Sequence, residues 1–278
     1  MASPLISPRE LAALQGAVLL DARSKPDFEA GHLRGALHAD PGVHLSAASQ
    51  PGFDPSIGGR HPLPSLHQWR ATLGLLGIGP DTSVVIYDDQ GGANSAARAW
   101  WMLKAVGHDS VRVLDGGLRA ALSAGCELAT DASVSKPCAH YPAAAWLLST
   151  VDIDVVEKLA RHSQWRVLDV RSAERYRGDA EPFDPVAGHI PGAANLPYSV
   201  NLDSDGRFKS PVELRELYAR LLGGLSPDHL VVHCGSGITA CHTLLAMEHA
   251  GLSGAALYVG SWSEWCRSGK SLATGDEP

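Results

Sequence analysis

The residues best suited to chemistry lie in one short segment around Cys234. The apolar run Leu230-Val231-Val232 is typical of a buried strand, and residues 239–250 carry a helical pattern. Gly235 and Gly237 lie between them, and glycine permits the sharp turn that joins a strand directly to a helix. The sequence therefore predicts a strand, a tight loop and a helix, with Cys234 at the base of the loop.

The predicted loop suits an anion. Its glycines allow backbone N–H groups to converge on one point, and the start of the following helix adds partial positive charge. These conditions favour the thiolate of Cys234, which is the nucleophilic form, and they stabilise a negative atom added to its sulfur. The alternative is a cysteine that only fills space in the core. The glycine spacing and the helix start argue against that alternative.

The run Cys234-Gly-Ser-Gly-Ile-Thr-Ala240 resembles the active-site loop of the 3-mercaptopyruvate sulfurtransferases, within the rhodanese superfamily. Thiosulfate-specific rhodaneses usually carry basic residues directly after the cysteine, where this chain has Gly235 and Ser236. The resemblance implies that the Cys234 thiolate takes the sulfur of 3-mercaptopyruvate as a persulfide and releases pyruvate. A thiol, such as that of thioredoxin, or cyanide would then accept the outer sulfur.

The resemblance also implies roles for other residues. In similar enzymes a Ser-His-Asp relay handles the proton of the leaving enolate, and Ser236 stands where the family has the serine. His61 precedes a predicted helix, where the family places its histidine. Asp40 is the candidate aspartate, although Gly42 occupies the usual relay position. The backbone expected to bind the substrate or the persulfide anion is that of Gly235, Gly237, Ile238, Thr239 and Ala240.

An arginine is expected to bind the substrate carboxylate, because a guanidinium matches its two oxygens in parallel hydrogen bonds. Arg177 corresponds to a substrate arginine of the family. Many relatives carry a second arginine further along the same loop, where this chain has Glu181-Pro-Phe-Asp-Pro185. Arg23 and Arg171 follow aspartates at strand ends and are interpreted as structural partners of those carboxylates.

The chain repeats itself, which is its strongest organisational signal. Three runs of the first half have similar counterparts in the second half, at similar distances along the chain. Residues 18–24 resemble residues 167–172, residues 31–36 resemble 188–193, and residues 84–88 resemble 230–234. In this register Asp88 lies opposite Cys234, and a carboxylate cannot take up a sulfur atom. The sequence therefore predicts two copies of one domain, of which only the second is catalytic.

We predict an inactive rhodanese-like domain over residues 1–124, a linker over 125–148, and over 149–278 the catalytic copy that contains Cys234. Short apolar strands alternate with helical stretches in each copy. This alternation predicts an α/β fold in which each mainly parallel sheet is flanked by helices on both faces. The predicted strands cover residues 18–21, 84–87, 111–114, 166–170, 230–233 and 256–258. The predicted helices cover residues 7–14, 66–75, 93–105, 151–161, 211–222 and 239–250.

The two copies differ by insertions. The number of positions that separates matching residues of the two copies changes along the chain. This change places about nine additional residues between Arg171 and Gly188 in the second copy, and about eleven between His32 and Val84 in the first. Loops on a rigid scaffold commonly carry specificity. We therefore expect substrate-binding residues in these two insertions.

Composition limits the partners. The 278-residue chain has 45% hydrophobic and 19% charged residues, which is typical of a soluble globular protein with room for two domains. Its net charge of −7 disfavours nucleic acid, because phosphate binding needs a basic excess. No run approaches the ~20 apolar residues of a membrane span, and the first residues do not form a signal peptide. We expect a cytoplasmic protein with no membrane partner.

Cysteine usage indicates neither a disulfide framework nor a metal site. The five cysteines are odd in number and form no Cys-x-x-Cys pair. No motif indicates a nucleotide or another cofactor. We therefore expect chemistry carried by the side chains and backbone alone, without metal or cofactor.

Three other functions stay open. Thiosulfate:cyanide sulfurtransfer would use the same persulfide, but no basic residue stands at position 235 or 236. A cysteine phosphatase would need an arginine six positions after the cysteine, where the chain has Ala240. A non-catalytic rhodanese-like binding module would be expected to have lost the cysteine in both copies, whereas Cys234 is kept in the second.

Overall fold

The computed structural model describes residues 3–93, 95–131 and 133–278. The chain divides into two compact units, called here the first and the second unit. The first unit contains Met1–Ala47, Pro64–Leu147 and Asp203–Phe208. The second contains Ala48–Leu63, Leu148–Leu202 and Lys209–Pro278. The domain limits derived from the sequence stay a prediction, but the chain does exchange segments: residues 48–63 belong to the second unit and residues 203–208 to the first.

The first unit is built on a parallel sheet. Its strands are β1 (Leu5–Ile6), β2 (Val18–Asp21), β3 (His32–Leu33), β4 (Leu37–His38), β5 (Val84–Tyr87), β6 (Val111–Leu114) and β7 (Leu128–Ala129). Its helices are α1 (Pro8–Ala13), α2 (Lys25–Ala30), α3 (Leu66–Leu75), α4 (Ser95–Ala105) and α5 (Gly117–Ser123). The parallel sheet has the order β1-β6-β5-β2-β4, and β3 and β7 form a separate antiparallel pair.

The second unit repeats this plan. Its strands are β8 (Thr150–Val151), β9 (Arg166–Asp169), β10 (Ala194–Asn195), β11 (Leu230–His233) and β12 (Ala256–Tyr258). Its helices are α6 (Ile153–Leu159), α7 (Ala173–Arg177), α8 (Pro211–Leu222), α9 (Thr239–His249) and α10 (Ser261–Trp265), with 3-10 turns at Tyr198–Asn201 and Pro227–His229. The parallel order β10-β9-β11-β12-β8, read backwards, matches that of the first unit strand for strand. The predicted α/β fold and its duplication are confirmed.

The central strands explain why the fold could be predicted. All four residues of β5 and of β11 are buried, and such continuous apolar runs are typical of parallel strands covered on both faces. The strands β2, β5, β6, β11 and β12 and the helices α3 and α8 have the predicted bounds, and β9 ends one residue earlier than predicted. The predicted helix 93–105 includes Asn94, which lies outside the described residues.

The predicted helix 151–161 is wrong at its start. Val151 pairs with Tyr258 as part of the edge strand β8, and α6 begins only at Ile153. The side chain of Asp152 accepts a hydrogen bond from the N–H of Val155 and so caps the helix. A two-residue strand is too short to produce an alternating pattern of apolar and polar residues. The prediction from the sequence therefore assigned Val151 to the helix.

Matching ion pairs fix the ends of two central strands. Nη2 of Arg23 lies 2.6 Å from Oδ2 of Asp21 at the end of β2, and Nη2 of Arg171 lies 2.5 Å from Oδ2 of Asp169 at the end of β9. In each unit the same nitrogen also donates to the carbonyl of a glycine, Gly31 in the first and Gly188 in the second. The predicted structural role of both arginines is confirmed.

Candidate active site

The backbone of Cys234 is held at the end of β11. Its thiol is almost fully enclosed, with 1% of the residue exposed, and its N–H donates to Oγ of Ser261 over 3.2 Å. Ser261 in turn donates to the carbonyl of Tyr258. Ser261 adopts a φ of 54°, in the left-handed region that costs a non-glycine residue energy. Such strain is typical of functional sites, where the surrounding structure holds it in place.

The carbonyl groups of the loop are directed towards the start of α10. The carbonyl of Cys234 accepts from the N–H of Trp262 over 3.0 Å, and the carbonyl of Gly235 accepts from the N–H of Ser263 over 2.9 Å. In a trans peptide, the C=O and the next N–H point in opposite directions. The N–H groups of Gly235 and Ser236 therefore point away from α10, as an anion-binding loop requires.

The helix behind the loop is α9. Its N-cap residue, Ile238, makes no side-chain capping hydrogen bond, and the start of the helix places its partial positive charge beside the cysteine. The structure places the predicted backbone donors close together in the chain after β11: Gly235, Gly237 and Ile238 lie in the turn, and Thr239 and Ala240 are the first two residues of α9. Their binding of substrate stays a prediction.

The structure brings His61 and Ser236 together. Nδ1 of His61 lies 2.8 Å from Oγ of Ser236, although 175 positions separate the two residues. This contact exists because residues 48–63 pack with the second unit, where the N–H of Arg60 donates to Oγ of Ser263. A proton can therefore pass between the serine and the imidazole.

Asp40 belongs to the first unit. Oδ1 of its carboxylate accepts from the N–H groups of Gly42 and Val43, at 2.8 and 3.0 Å. This arrangement is an Asx turn, in which the aspartate stabilises its own loop. A role for Asp40 in the relay stays a prediction.

Arg177 contacts two acidic side chains, one in its own loop and one near the C-terminus. Its Nε donates to Oδ2 of Asp179 over 2.8 Å, and its Nη1 lies 3.8 Å from Oδ1 of Asp276. The hydrogen bond to Asp179, with the charges of Asp179 and Asp276, holds the pKa of the Arg177 guanidinium above its ordinary value, against the opposing effect of desolvation. None of its contacts within the described residues is with the Cys234 loop.

Two other arginines reach the loop. A Cβ atom placed on Gly235 would lie 3.1 Å from Nη2 of Arg175 and 3.3 Å from Nη2 of Arg60. Sequence reasoning missed both: Arg175 lies two residues before the chosen Arg177, and Arg60 lies directly before the chosen His61. No local pattern distinguishes these neighbours, because the choice depends on which side of the segment faces the loop.

Acidic side chains of the second insertion hold these arginines. Nη2 of Arg175 donates to both oxygens of Glu181, at 2.7 and 2.9 Å, and Glu181 also accepts from Nη1 of Arg171. Nε of Arg60 donates to Oδ1 of Asp184 over 3.0 Å. The two insertions predicted to carry specificity therefore meet beside the cysteine.

The charges next to Cys234 are fixed by burial and pairing. Burial opposes the charge of Arg171, but Asp169 and Glu181 hold the pKa of its guanidinium above the ordinary value, and a thiolate at Cys234 adds to this effect. Burial lowers the pKa of His233, against the attraction of Asp169. Burial therefore favours the neutral imidazole in His233, the residue before the cysteine, whereas Arg171 stays positively charged.

The model of the rhodanese-like domain matches the chain twice, over residues 7–124 and 152–268. The chain belongs to the rhodanese family. Among its relatives is a probable 3-mercaptopyruvate sulfurtransferase of Pseudomonas aeruginosa, 42% identical over 253 residues that cover 90% of this chain and 86% of the relative. A putative thiosulfate sulfurtransferase of Mycobacterium tuberculosis is 39% identical, over 94% of this chain and 93% of the relative.

Solved structures agree with the family assignment. The 3-mercaptopyruvate sulfurtransferase from Leishmania major superposes with a TM-score of 0.81 at 30% identity, covering 95% of this chain and 74% of that chain. The 3-mercaptopyruvate sulfurtransferase of the rat is 37% identical, over 95% of this chain and 89% of its own length. The similarity to these sulfurtransferases therefore extends over nearly the whole chain, including both matches to the rhodanese-like domain.

The first rhodanese-like domain carries an anion of its own where the second has the cysteine. Oδ1 of Asp88 accepts from the N–H groups of Gln90 and Gly92, at 2.9 and 2.8 Å, and Oδ2 accepts from the N–H of Ala96 in the first turn of α4. The carboxylate thus occupies the backbone donors of this loop. This arrangement supports the prediction that the first copy is inactive.

Among the described residues, no helix combines the length and the apolar character that a membrane span needs. No group of three or more histidine, cysteine, aspartate or glutamate side chains within residues 3–93, 95–131 and 133–278 is arranged to hold a metal ion.

Proposed function

We propose that this rhodanese is a sulfurtransferase that moves sulfur from 3-mercaptopyruvate through a persulfide on Cys234 to a thiol or cyanide acceptor. The observation that carries the proposal is the arrangement around Cys234: an enclosed cysteine, a turn with outward N–H groups, the Ser236–His61 contact and two guanidinium groups at Gly235. The names of the relatives with 37–42% identity support the choice of donor.

In the first half-reaction, the Cys234 thiolate attacks the sulfur of the donor. A sulfur–sulfur bond forms, the carbon–sulfur bond of the donor breaks, and its electron pair leaves as the enolate of pyruvate. The enolate then takes a proton at carbon and becomes pyruvate. The outer sulfur of the persulfide carries the negative charge, which the N–H groups of Gly235 and Ser236 stabilise.

Ser236 and His61 supply the proton path. The donor thiol loses a proton when its sulfur joins Cys234, and the enolate gains one when it leaves, so a single relay can serve both steps. The 2.8 Å contact between Oγ of Ser236 and Nδ1 of His61 lets the hydroxyl exchange a proton with the imidazole. Asp40 stays the predicted aspartate of this relay.

In the second half-reaction, an acceptor removes the outer sulfur. A thiolate attacks this sulfur, the sulfur–sulfur bond of the persulfide breaks, and its electron pair restores the Cys234 thiolate. A small thiol or the reduced dithiol of thioredoxin gives a persulfide on the acceptor, and cyanide gives thiocyanate. After this step no part of the sulfur donor remains bound to Cys234.

The substrate arginine can be identified by a paired substitution, Arg175→Ala against Arg177→Ala. We expect Arg175→Ala to raise the KM for 3-mercaptopyruvate about tenfold to a hundredfold, because a charge-assisted hydrogen bond contributes about 1.5–3 kcal/mol. Arg177 makes its contacts with Asp179 and Asp276, so its substitution should change KM less. Steady-state kinetics at saturating cyanide measure both values. A larger effect at Arg177 would restore the assignment made from the sequence.

The proposed function is tested by sulfur transfer to cyanide from 3-mercaptopyruvate and from thiosulfate, side by side. The mass of the intact protein is measured after each donor alone. We expect a higher kcat/KM for 3-mercaptopyruvate and one added sulfur on Cys234. No added sulfur from either donor would contradict the proposal and would favour a binding module.

A thiosulfate sulfurtransferase is the second candidate. The guanidinium groups of Arg60 and Arg175 at Gly235 could equally bind the oxygens of thiosulfate, whose outer sulfur would pass to Cys234 with release of sulfite. The relative from Mycobacterium tuberculosis carries this name. A higher kcat/KM for thiosulfate in the same comparison would select this candidate and leave the nucleophile unchanged.

A further inference from the structure

We propose that Arg60 is a second donor-binding residue of the active site, which binds the carboxylate of a 2-oxo acid thiol together with Arg175. The inference rests on the proposed function, because it assigns the anionic group of the same donor. Its starting point is the convergence of two cations on one glycine. A Cβ atom on Gly235 would contact Nη2 of Arg175 at 3.1 Å, Nη1 of Arg175 at 3.4 Å and Nη2 of Arg60 at 3.3 Å.

Each of the two guanidinium groups binds a carboxylate through the edge formed by its Nε and Nη2 atoms. Within the described residues, Arg60 bonds to Asp184 through Nε and Nη2, and Arg175 bonds to Glu181 through Nε and Nη2. The Nη1 groups are not used in these hydrogen bonds. Each arginine therefore keeps donors for a further oxygen atom, in the planar arrangement that suits a carboxylate.

One aromatic ring lies against the guanidinium groups of both arginines. The guanidinium carbon of Arg60 lies 5.5 Å from the ring centre of Phe183, and that of Arg175 lies 5.0 Å from the same centre. Phe183 is 61% exposed, so its ring shields part of both cations from water without being buried itself. Preorganised donors lose little freedom when a ligand binds, which increases affinity.

The charge balance leaves room for an anion. The side chain of Asp184 is fully buried and also accepts from Nη1 of Arg267 over 2.8 Å, so Arg60 shares this carboxylate with another cation. The connected ion pairs contain four arginines and three carboxylates: Arg60, Arg171, Arg175 and Arg267 with Asp169, Glu181 and Asp184. The one additional positive charge offsets a thiolate at Cys234, so the carboxylates around the two arginines do not give the site a net charge that repels an anionic donor.

The test is the substitution Arg60→Gln. Glutamine keeps a polar group near Asp184 but removes the charge and the fork, while Arg267 continues to pair with Asp184. We expect the KM for 3-mercaptopyruvate to rise about tenfold to a hundredfold, with kcat changed by less than about threefold. The matched control is Arg34→Gln, which removes an exposed arginine paired with Glu127 in the first unit and should leave both constants unchanged.

A second donor isolates the carboxylate. The methyl ester of 3-mercaptopyruvate lacks the negative charge, so the wild-type protein should have a much higher KM for the ester than for the acid. In Arg60→Gln this difference should shrink by about tenfold or more, since the lost contact is one that only the acid makes. An equal rise in KM for acid and ester would mean that Arg60 supports the structure of the loop, and would overturn the proposal.

The two proposals fail in different ways. If the wild-type protein gains sulfur on Cys234 from 3-mercaptopyruvate and Arg60→Gln keeps the wild-type KM, only the assignment of Arg60 is wrong. If the wild-type protein gains no sulfur from this donor, the proposed function is wrong and the role of Arg60 falls with it. Circular dichroism and thermal unfolding of Arg60→Gln confirm that a kinetic change comes from a folded protein.

Discussion

Cys234→Ser should abolish sulfur transfer from every donor. A serine hydroxyl is not ionised near neutral pH and does not form a persulfide, so both half-reactions lose their nucleophile. We expect turnover to fall by at least about 10³-fold, because the residue carries the covalent intermediate rather than one contact among several. Thiocyanate production from cyanide measures turnover, and the mass of the intact protein after incubation with donor should show no added sulfur.

The control for this experiment is Cys138→Ser. Cys138 is exposed in the first unit and its Sγ contacts only the neighbouring Ala139 carbonyl among the described residues, so its loss should change neither turnover nor the sulfur load. Serine is close in volume to cysteine, and the backbone of Cys234 stays held by Ser261 and Trp262. Normal thermal unfolding of Cys234→Ser would therefore separate lost chemistry from lost structure. Persisting turnover in that variant would remove Cys234 from the mechanism.

The catalytic loop could be predicted because its information is local. An apolar run, a cysteine and two glycines before a helix fix the strand, the turn and the N-terminus of α9 within ten or so residues. The position of Asp88 opposite Cys234 could also be predicted, since the register of the repeat sets it without any knowledge of contacts. The structure then adds why an aspartate suits that place, because its carboxylate binds the N–H groups of its own loop.

The arginines could not be chosen from the sequence because their positions depend on distant segments. Arg60 meets Asp184 across 124 positions, and it does so only because residues 48–63 leave the first copy and join the second unit. Asp184 is a carboxylate, which on its own would repel an anionic substrate. In the structure this carboxylate is neutralised by arginines from two other segments, and it positions one of them beside Gly235.

The sequence could indicate His61 as a candidate partner of Ser236, and the structure places the two side chains in contact, whereas the role of Asp40 stays a prediction. The position of His61 before a helix is a feature that a sequence can match, and the helix α3 begins at Leu66 as predicted. The aspartate of a relay is defined by its distance from an imidazole, and no spacing along the chain encodes that distance. The side chain of Asp40 binds the backbone of Gly42 and Val43, and Gly42 is the very residue that replaces the acidic group of the family.

Gly237→Ala should disrupt the second unit itself. Gly237 has a φ of +76°, and a Cβ atom there would lie 2.5 Å from the carbonyl oxygen of Val259. The left-handed conformation alone costs alanine about 1–2 kcal/mol, and the overlap is with backbone, which follows β12 and cannot rotate away. We expect the free energy of unfolding of the second unit to fall by about 3–5 kcal/mol. Hydrogen exchange of the amides of β11 and α9 measures this loss directly.

Gly235→Ala is the matched comparison, and it should change donor binding while leaving the stability of the second unit nearly unchanged. The φ of Gly235 is outside the left-handed region, and its new Cβ would meet only the flexible ends of Arg175 and Arg60, at 3.1–3.4 Å. The guanidinium groups can move by a few tenths of an ångström, so stability should change by less than about 1 kcal/mol. Their displacement should nevertheless raise the KM for an anionic donor. If Gly235→Ala instead destabilised the unit as much as Gly237→Ala, the glycine next to the cysteine would serve the fold of the loop rather than the space that the two arginines occupy.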